Sequence, residues 1–192
     1  MRLIIIDGLD GVGKDTQAQL VKQHYEARGE KVLIRSHPES DNFYGRQSKK
    51  ALLGEGLINR LKASMFYALD VLHSLRTYYR NSSFDTIIMV RYLMGTAYLP
   101  RRLAKLGYGF FAKFVPTSEY MFFLDATPEK LVNRIQQRSE TEMFETPEAL
   151  KKVRSKALML AVGWHIINTD QSIEKTFADI EKILEHLDRV RI

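Results

Sequence analysis

Residues 8–14 combine glycine and lysine at a spacing that suits the binding of a phosphate group. Gly8 and Gly13 enclose four residues and Lys14 follows directly, which gives the pattern GxxxxGK between an apolar run and a helical pattern. Glycines let the backbone wrap a phosphate with its N–H groups pointing inward, while the helix start and the lysine add positive charge. We therefore predict a phosphate-binding loop. Its assigned residues are Gly8, Leu9, Asp10, Gly11, Val12, Gly13, Lys14, Asp15 and Thr16.

Asp15 stands where such loops usually carry a serine or threonine that binds Mg²⁺. Thr16 comes one position later and would point about 100° around the helix. Three interpretations stay open at this point. The Asp15 carboxylate binds the metal itself, because hard oxygen ligands suit Mg²⁺; or it caps the helix N-terminus; or it repels nucleotide phosphates and marks a protein that has lost catalysis.

The loop must be positioned by a sheet, and five short apolar runs supply the strands. These runs alternate with longer helical patterns, which is typical of a parallel sheet covered on both faces. We therefore predict an α/β fold with three layers, α/β/α, and five parallel strands, whose ligands bind beyond the carboxyl ends of the strands. The predicted strands are 2–6, 31–34, 86–90, 120–124 and 165–168, and the predicted helices are 14–28, 57–80, 129–138 and 172–187.

Length and composition narrow the class of protein. A chain of 192 residues is expected to form a single domain. It has no run of about 18 apolar residues and no signal-peptide pattern, so we expect a cytoplasmic protein without a membrane partner. The chain contains no cysteine, which excludes disulfides and thiolate metal sites. Its net charge of +6 suits phosphorylated ligands, but the basic residues are scattered, so we expect no nucleic-acid partner.

The stretch IIIDGLDGVGKDTQ resembles the first strand and loop of the thymidylate kinase family, the P-loop kinases that phosphorylate dTMP. The resemblance extends over most of the chain. It implies the P-loop NTPase fold in one kinase domain over residues 1–192, with a short lid at about 138–148. It also implies ATP and Mg²⁺ as cofactors, a nucleoside monophosphate as substrate and a homodimer, and it places Asp10 near the sugar 3′-hydroxyl of the substrate.

The stretch SMFYALDVLH looks like the family helix that carries an aromatic residue stacked on the substrate base. The resemblance assigns this stacking role to Phe66. Four residues later the family usually has an arginine that donates to the thymine carbonyl, whereas this chain has Asp70. A carboxylate only accepts hydrogen bonds, so Asp70 would suit an amino group better. We also place Tyr92 and Tyr98 among the substrate-binding residues.

The stretch MVRYLMGTAY resembles the Asp-Arg-Tyr motif that follows the third strand of the family. Arg91 and Tyr92 match this motif, and the resemblance implies that Arg91 binds the substrate phosphate, as a bidentate guanidinium can. Val90 replaces the family aspartate that helps to organise magnesium, and valine cannot bind a metal. Because a carboxylate is missing at Val90 and another is present at Asp15, we hypothesise that the metal-binding charge has moved from the strand end to the loop.

The segment after the fourth strand resembles the family stretch LDxxPExxxxRxxxR and the start of its lid. The family carries an arginine for the migrating phosphoryl group either in the loop, where this chain has Gly11, or in the lid, where it has Met143. Arg134 and Arg138 lie one helical turn apart, so we predict that they bind ATP and stabilise that group. Surface salt bridges are the alternative for both. The resemblance also places part of the adenine pocket at residues 168–172.

Three functions are compatible with these residues. The leading one is the transfer of the ATP γ-phosphate to a nucleoside monophosphate, with dTMP as the first choice. The second is a kinase of the same fold that acts on another nucleotide or on a nucleoside, which Asp70 favours. The third is a nucleotide-binding regulatory protein that has lost catalysis, which Asp15, Val90 and Met143 make credible. For the leading function, the predicted catalytic residues are Lys14, Arg91, Arg134 and Arg138.

Overall fold

Five parallel strands form one sheet in the computed structural model, which describes residues 1–54, 56–79, 83–98, 101–136 and 147–191. The strands are β1 (Arg2–Gly8), β2 (Val32–Ser36), β3 (Thr86–Val90), β4 (Met121–Asp125) and β5 (His165–Asn168). Their order across the sheet is β2-β3-β1-β4-β5. The sheet confirms the predicted parallel arrangement. β3 and β5 have their predicted bounds, β1 extends two residues beyond its predicted end, and the bounds of β2 and β4 lie one or two residues later than predicted.

Helices cover both faces of this sheet over the described residues. A π-helical turn, Leu75–Tyr79, directly follows α3, and a 3-10 helix spans Met94–Tyr98. The α-helices are α1 (Lys14–Glu26), α2 (Phe43–Leu52), α3 (Gly56–Ser74), α4 (Arg101–Phe114), α5 (Pro128–Gln136), α6 (Pro147–Leu160) and α7 (Ile173–Val190). No helix in the described part of the chain is long and apolar enough to cross a membrane.

The helices form the two outer layers of the predicted α/β/α arrangement. α1 carries the chain from β1 to β2, whereas α3 and α4 carry it in the opposite direction, from β2 to β3 and from β3 to β4. Because such crossovers are right-handed, α1 lies on one face of the sheet and α3 and α4 lie together on the other. α7 packs against α1, and α6 packs against α4 and α5.

The central strands β1 and β3 are buried on both faces, as their unbroken apolar sequences predict. Their register pairs Ile6 with Val90, and β1 also pairs Gly8 with Leu124 of β4. The carboxyl ends of three strands therefore meet at one edge of the sheet. Gly8 is required there, because a Cβ atom at this position would lie 2.3 Å from the backbone oxygen of Leu124.

Several sequence expectations differ from the structure or lie outside it. We did not predict α2, α4 or α6, and the helix predicted over 57–80 ends at Ser74, where the π-helical turn begins. The predicted lid lies outside the described residues except for Pro147 and Glu148, which begin α6. Arg138 and Met143 also lie outside them. One hydrophobic core joins the sheet to both helical layers, and the single domain stays a prediction.

Candidate functional site

The glycine loop leads from the end of β1 into the start of α1. Gly11 and Gly13 have φ angles of 85° and 88°, a left-handed conformation that glycine adopts without strain. Gly13 occupies the N-cap position of α1, and Asp15 lies in the first turn. Because glycine has no side chain to accept the first N–H groups of the helix, these groups suit an anionic ligand.

Lys14 lies beneath the loop, with only 2% of its surface exposed. Its Nζ donates to the backbone oxygens of Gly8, at 2.8 Å, and Leu9, at 2.6 Å. Asp10 Oδ1 lies 3.5 Å from the same nitrogen. Burial and the positive charge of Arg91 lower the pKa of Lys14 to about 8, although nearby carboxylates, chiefly that of Asp10, oppose the shift. A phosphate that enters the loop would compete with these two carbonyl oxygens for the ammonium group.

Arg91 joins the loop to the ends of β2 and β3. Its NH1 nitrogen lies 3.1 Å from Asp15 Oδ2 and donates to Ser36 Oγ at 3.1 Å, and its Nε lies 3.6 Å from Asp10 Oδ1. Ser36 Oγ in turn donates to Asp15 Oδ1 at 2.7 Å. Burial alone would raise the pKa of Asp15, but Arg91, Ser36 and Lys14 outweigh it and hold that pKa below its usual value. The structure therefore brings together three predicted residues, Asp10, Asp15 and Arg91.

Asp7, which the sequence analysis did not select, fixes the backbone that follows Arg91. It is almost fully buried, and its Oδ2 accepts the N–H groups of Tyr92, Leu93 and Met94 at 3.0, 2.8 and 3.2 Å. Burial raises the pKa of Asp7, although the three N–H groups oppose that shift. The feature of the sequence that could have identified Asp7 is the occurrence of an acidic residue at the end of the apolar strand sequence III.

Tyr92 and Val90, the neighbours of Arg91 in the sequence, are both fully buried. The Tyr92 ring lies in the core and its hydroxyl donates to Pro116 O at 3.1 Å, so a role in substrate binding gains no support from its position. The backbone oxygen of Val90 accepts the N–H of His37 at 3.0 Å. The side chain of Tyr98 lies outside the described part of the structure.

Asp70 and Phe66 lie on α3, beside the segment that follows β2. Asp70 is fully buried, and its two oxygens accept the N–H of Glu39 at 2.8 Å and Asn42 Nδ2 at 2.6 Å. Phe66 is half-buried and meets Phe43 edge-on, with ring centroids 6.1 Å apart. Asp70 therefore anchors the segment that leads into α2, and its predicted contact with the substrate base stays a prediction.

Arg134, on α5, bridges the glycine loop and the loop after β5. Its NH2 nitrogen donates to Thr169 O at 2.7 Å, and NH1 donates to Gly11 O at 3.3 Å. The residues predicted for the adenine pocket, 168–172, include Thr169, so Arg134 lies between the two predicted parts of the ATP site. Its assignment to ATP binding stays a prediction. In the described part of the chain, no group of three His, Asp or Glu side chains could hold a metal ion alone.

Comparison with known proteins identifies relatives over almost the whole chain. The sequence model of the family described as thymidylate kinase matches residues 6–180. Proteins described as probable thymidylate kinases from Pyrococcus horikoshii and Thermococcus gammatolerans are 29% and 28% identical, over 95% of this chain and 95% of theirs. A solved structure of thymidylate kinase from Candida albicans has a TM-score of 0.76 at 16% identity, over 97% of this chain and 92% of that chain. This last likeness shows a shared fold.

Proposed function

Because the chain belongs to the thymidylate kinase family, we propose that it transfers the γ-phosphate of ATP to dTMP and releases ADP and dTDP. The observation that carries this proposal is the meeting of two phosphate-binding features at one edge of the sheet. The glycine loop follows β1 and Arg91 follows the neighbouring β3, with Arg91 Nε 3.6 Å from Asp10 of the loop. A donor phosphate on the loop and a substrate phosphate on Arg91 would therefore be adjacent.

The transfer requires charge stabilisation rather than a general base. An oxygen of the substrate phosphate attacks the γ-phosphorus in line, and the bond from that phosphorus to the β–γ bridging oxygen breaks, which leaves ADP. The loop N–H groups and Lys14 would hold the phosphates of ATP, while Arg91 would hold the phosphate of dTMP. Since Arg91 pairs with Asp10 and Asp15 in the structure, the incoming phosphate would exchange with these carboxylates.

We assign to Arg134 and Arg138 the role of placing further positive charge beside the migrating phosphoryl group. Arg134 contacts Gly11 O and Thr169 O, on opposite sides of the predicted ATP site. Arg138 lies outside the described residues, one helical turn further along the predicted helix. Positive groups that act in a closed site, away from water, stabilise a phosphoryl transition state strongly.

Magnesium would be held beside Asp15 in this proposal. The Asp15 side chain is 60% exposed at the edge of the loop, and its carboxylate is a hard oxygen ligand. Val90, at the strand end, has no such group. A magnesium ion there would neutralise charge on the phosphates of ATP, and those phosphates and water would supply its other ligands. Asp15 would have to leave Arg91, which the substrate phosphate then occupies.

Substitution of Asp15 tests the metal assignment. Asp15→Asn keeps the size of the side chain and removes its charge, so we expect the Mg²⁺ concentration for half-maximal activity to rise at least about tenfold. If Asp15 only serves as the counter-ion of Arg91, the KM for dTMP changes instead and the Mg²⁺ dependence does not. The assignment is also wrong if Asp15→Ser leaves nucleotide affinity and activity unchanged or increases them.

A coupled assay of ADP release over a panel of nucleoside monophosphates tests the function itself. Turnover with dTMP is the expected result, and Lys14→Met, which removes the ammonium but keeps the chain length, should abolish it. Turnover only with another nucleotide or nucleoside would mean a kinase of different specificity. Binding of ATP without turnover of any substrate would mean a regulatory protein and would contradict the proposal.

We also propose that the chain forms a homodimer through the outer surface of α3 and α4, which lie in the same helical layer. Along α3, Ile58, Met65 and Leu72 repeat every seven residues, a spacing that suits antiparallel helix packing. Contiguous apolar patches on soluble proteins mark interaction sites. The exposed apolar side chains, between 44% and 71% exposed, are Ile58, Leu61, Met65 and Leu72 on α3 and Leu106, Phe110 and Phe114 on α4.

A further inference from the structure

Tyr67, on α3, contacts the backbone of Arg91 although it lies 24 residues away in sequence. Its hydroxyl donates a hydrogen bond to the backbone oxygen of Arg91. The ring is held on two sides: His37 packs edge-on against it with ring centroids 6.4 Å apart, and a Cβ atom at Gly95 would lie 3.0 Å from it. Tyr67 therefore fits closely between the end of β2 and the segment that follows β3.

The peptide bond between Arg91 and Tyr92 is fixed at both ends. Its carbonyl oxygen accepts the hydroxyl of Tyr67, and its N–H donates to Asp7 Oδ2 at 3.0 Å. The N–H of Arg91 itself donates to Ile6 O at 3.2 Å. Hydrogen bonds on both sides of the Arg91 Cα atom thus determine the backbone conformation from which its guanidinium extends.

That conformation is one that arginine does not adopt readily. Arg91 has a φ angle of 53°, which lies in the left-handed region. Among the described residues, the others with a positive φ angle are all glycines. Such a residue persists only where its surroundings hold it in place, and such sites are frequent where a side chain must be aimed at a ligand. Without the hydroxyl of Tyr67, the carbonyl of Arg91 would lose its partner and the peptide could rotate.

We propose that Tyr67 is a positioning residue for the substrate phosphate, which holds the peptide after Arg91 so that the guanidinium faces the glycine loop. This inference rests on the proposed function, because it takes Arg91 as the ligand of that phosphate. Burial and the nearby carboxylate of Asp7 raise the pKa of Tyr67 well above its usual value, so the hydroxyl remains a donor at physiological pH. Tyr67 acts through Arg91 and is not itself assigned a contact with the substrate.

The test compares binding of dTMP and thymidine, measured by calorimetry, in the wild-type chain and in Tyr67→Phe. We expect dTMP to bind about tenfold more weakly to Tyr67→Phe, because the phosphate contact is misplaced, while thymidine binds equally well to both. In turnover, the KM for dTMP should rise and the KM for ATP should not. A general structural defect would weaken both ligands, so the nucleoside serves as the internal control.

Two further variants separate positioning from packing. Tyr120→Phe also removes a partly buried hydrogen bond, which the Tyr120 hydroxyl donates to Asp188 at 2.8 Å near the amino ends of the strands, and it should leave dTMP binding unchanged. Tyr67→Phe combined with Arg91→Gln should bind dTMP no more weakly than Arg91→Gln alone, since Tyr67 acts through Arg91. Incorporation of 4-aminophenylalanine at position 67 restores a donor and should restore dTMP affinity.

The outcomes that overturn this inference are distinct from those that overturn the function. Equal dTMP binding by Tyr67→Phe and wild type, an equal loss of thymidine binding, or additive effects with Arg91→Gln would each refute the positioning role. If Tyr67→Phe does not fold, failure of the 4-aminophenylalanine chain to bind dTMP as wild type does would refute it too. A wild-type chain that takes another nucleoside monophosphate contradicts only the proposed substrate, and the comparison then uses that nucleotide. A wild-type chain that binds no nucleoside monophosphate would overturn both the proposed function and the positioning role of Tyr67.

Discussion

His37 is a residue whose burial has a measurable consequence for stability. It is 1% exposed, its Nδ1 lies 3.3 Å from Val90 O, and its Nε2 has no hydrogen-bond partner among the described residues. Burial, with a smaller contribution from Arg35, lowers its pKa from 6.5 to about 4, although Asp70, the contact with Val90 and Asp41 oppose the shift. The imidazole is therefore neutral in the folded protein at neutral pH.

Acid should destabilise the fold through His37. Between pH 6.5 and 4 the unfolded chain binds a proton at this position and the folded chain does not, so the free energy of unfolding falls as the pH falls through this window. The full loss is about 3 kcal/mol below pH 4, and the effect is absent above pH 6.5. Asn cannot titrate and can still donate to Val90 O, so His37→Asn should remove this part of the slope.

Urea denaturation at several values between pH 4.5 and 7.5 measures the effect. The comparison is between slopes rather than absolute values, because His37→Asn also loses the ring contact with Tyr67. His186→Asn is the matched control, since it makes the same substitution at an exposed histidine on α7. Parallel curves for the wild type and His37→Asn would show that the buried imidazole does not set this pH dependence.

At the same scale, local motifs in the sequence select single residues but not the contacts between them. The pattern GxxxxGK selected Lys14 and the family resemblance selected Arg91, because each selection depends on a local motif. The contact between Arg91 and Asp15 depends on the alignment of β1 with β3, which no local pattern contains. The role of Tyr67 could not be predicted from the sequence, since a tyrosine on an amphipathic helix is by default a core residue.

At the scale of elements, α2 begins with a cap that also supports a buried charge. Asn42 Oδ1 accepts the N–H of Gly45 at 3.0 Å, and its Nδ2 donates to Asp70 at 2.6 Å. We did not predict α2 because it is short and the cap precedes no clear apolar repeat. The caps of helices before long amphipathic patterns are easier to predict, as for α7, which begins next to the predicted Ser172.

Asn42→Ala should destabilise the protein more than loss of a cap alone would. The missing cap costs about 1 kcal/mol, and the buried Asp70 carboxylate loses a partner, which adds about 1 to 3 kcal/mol. Ser172→Ala is the matched control, because Ser172 Oγ caps α7 through Lys175 N at 3.2 Å and holds no buried charge. Denaturation curves of the two variants give the comparison. Equal losses would mean that the bond to Asp70 adds nothing.

At the scale of the whole molecule, the five parallel strands followed from a simple sequence pattern. Apolar runs that alternate with helical patterns predict a parallel sheet, and right-handed crossovers then determine which helices share a face. α4 was not predicted, although β3 and β4 are both parallel to β1 and such a connection calls for a helix. α6 was not predicted either, because the connection from β4 to β5 already contains the predicted helix α5. In the structure α6 packs against both α4 and α5.

The proposed homodimer can be tested by a substitution at Met65, on the exposed apolar surface of α3. Met65 lies midway between Ile58 and Leu72 on α3, so a charge at this position would be buried against the partner, and near the two-fold axis against its own copy. Met65→Glu should therefore convert the dimer into a monomer, as measured by size-exclusion chromatography with light scattering. Val162→Glu is the control, because Val162 is 84% exposed in the loop before β5 and not on α3 or α4. A wild-type monomer, or a Met65→Glu variant that remains dimeric, would exclude this surface as the interface.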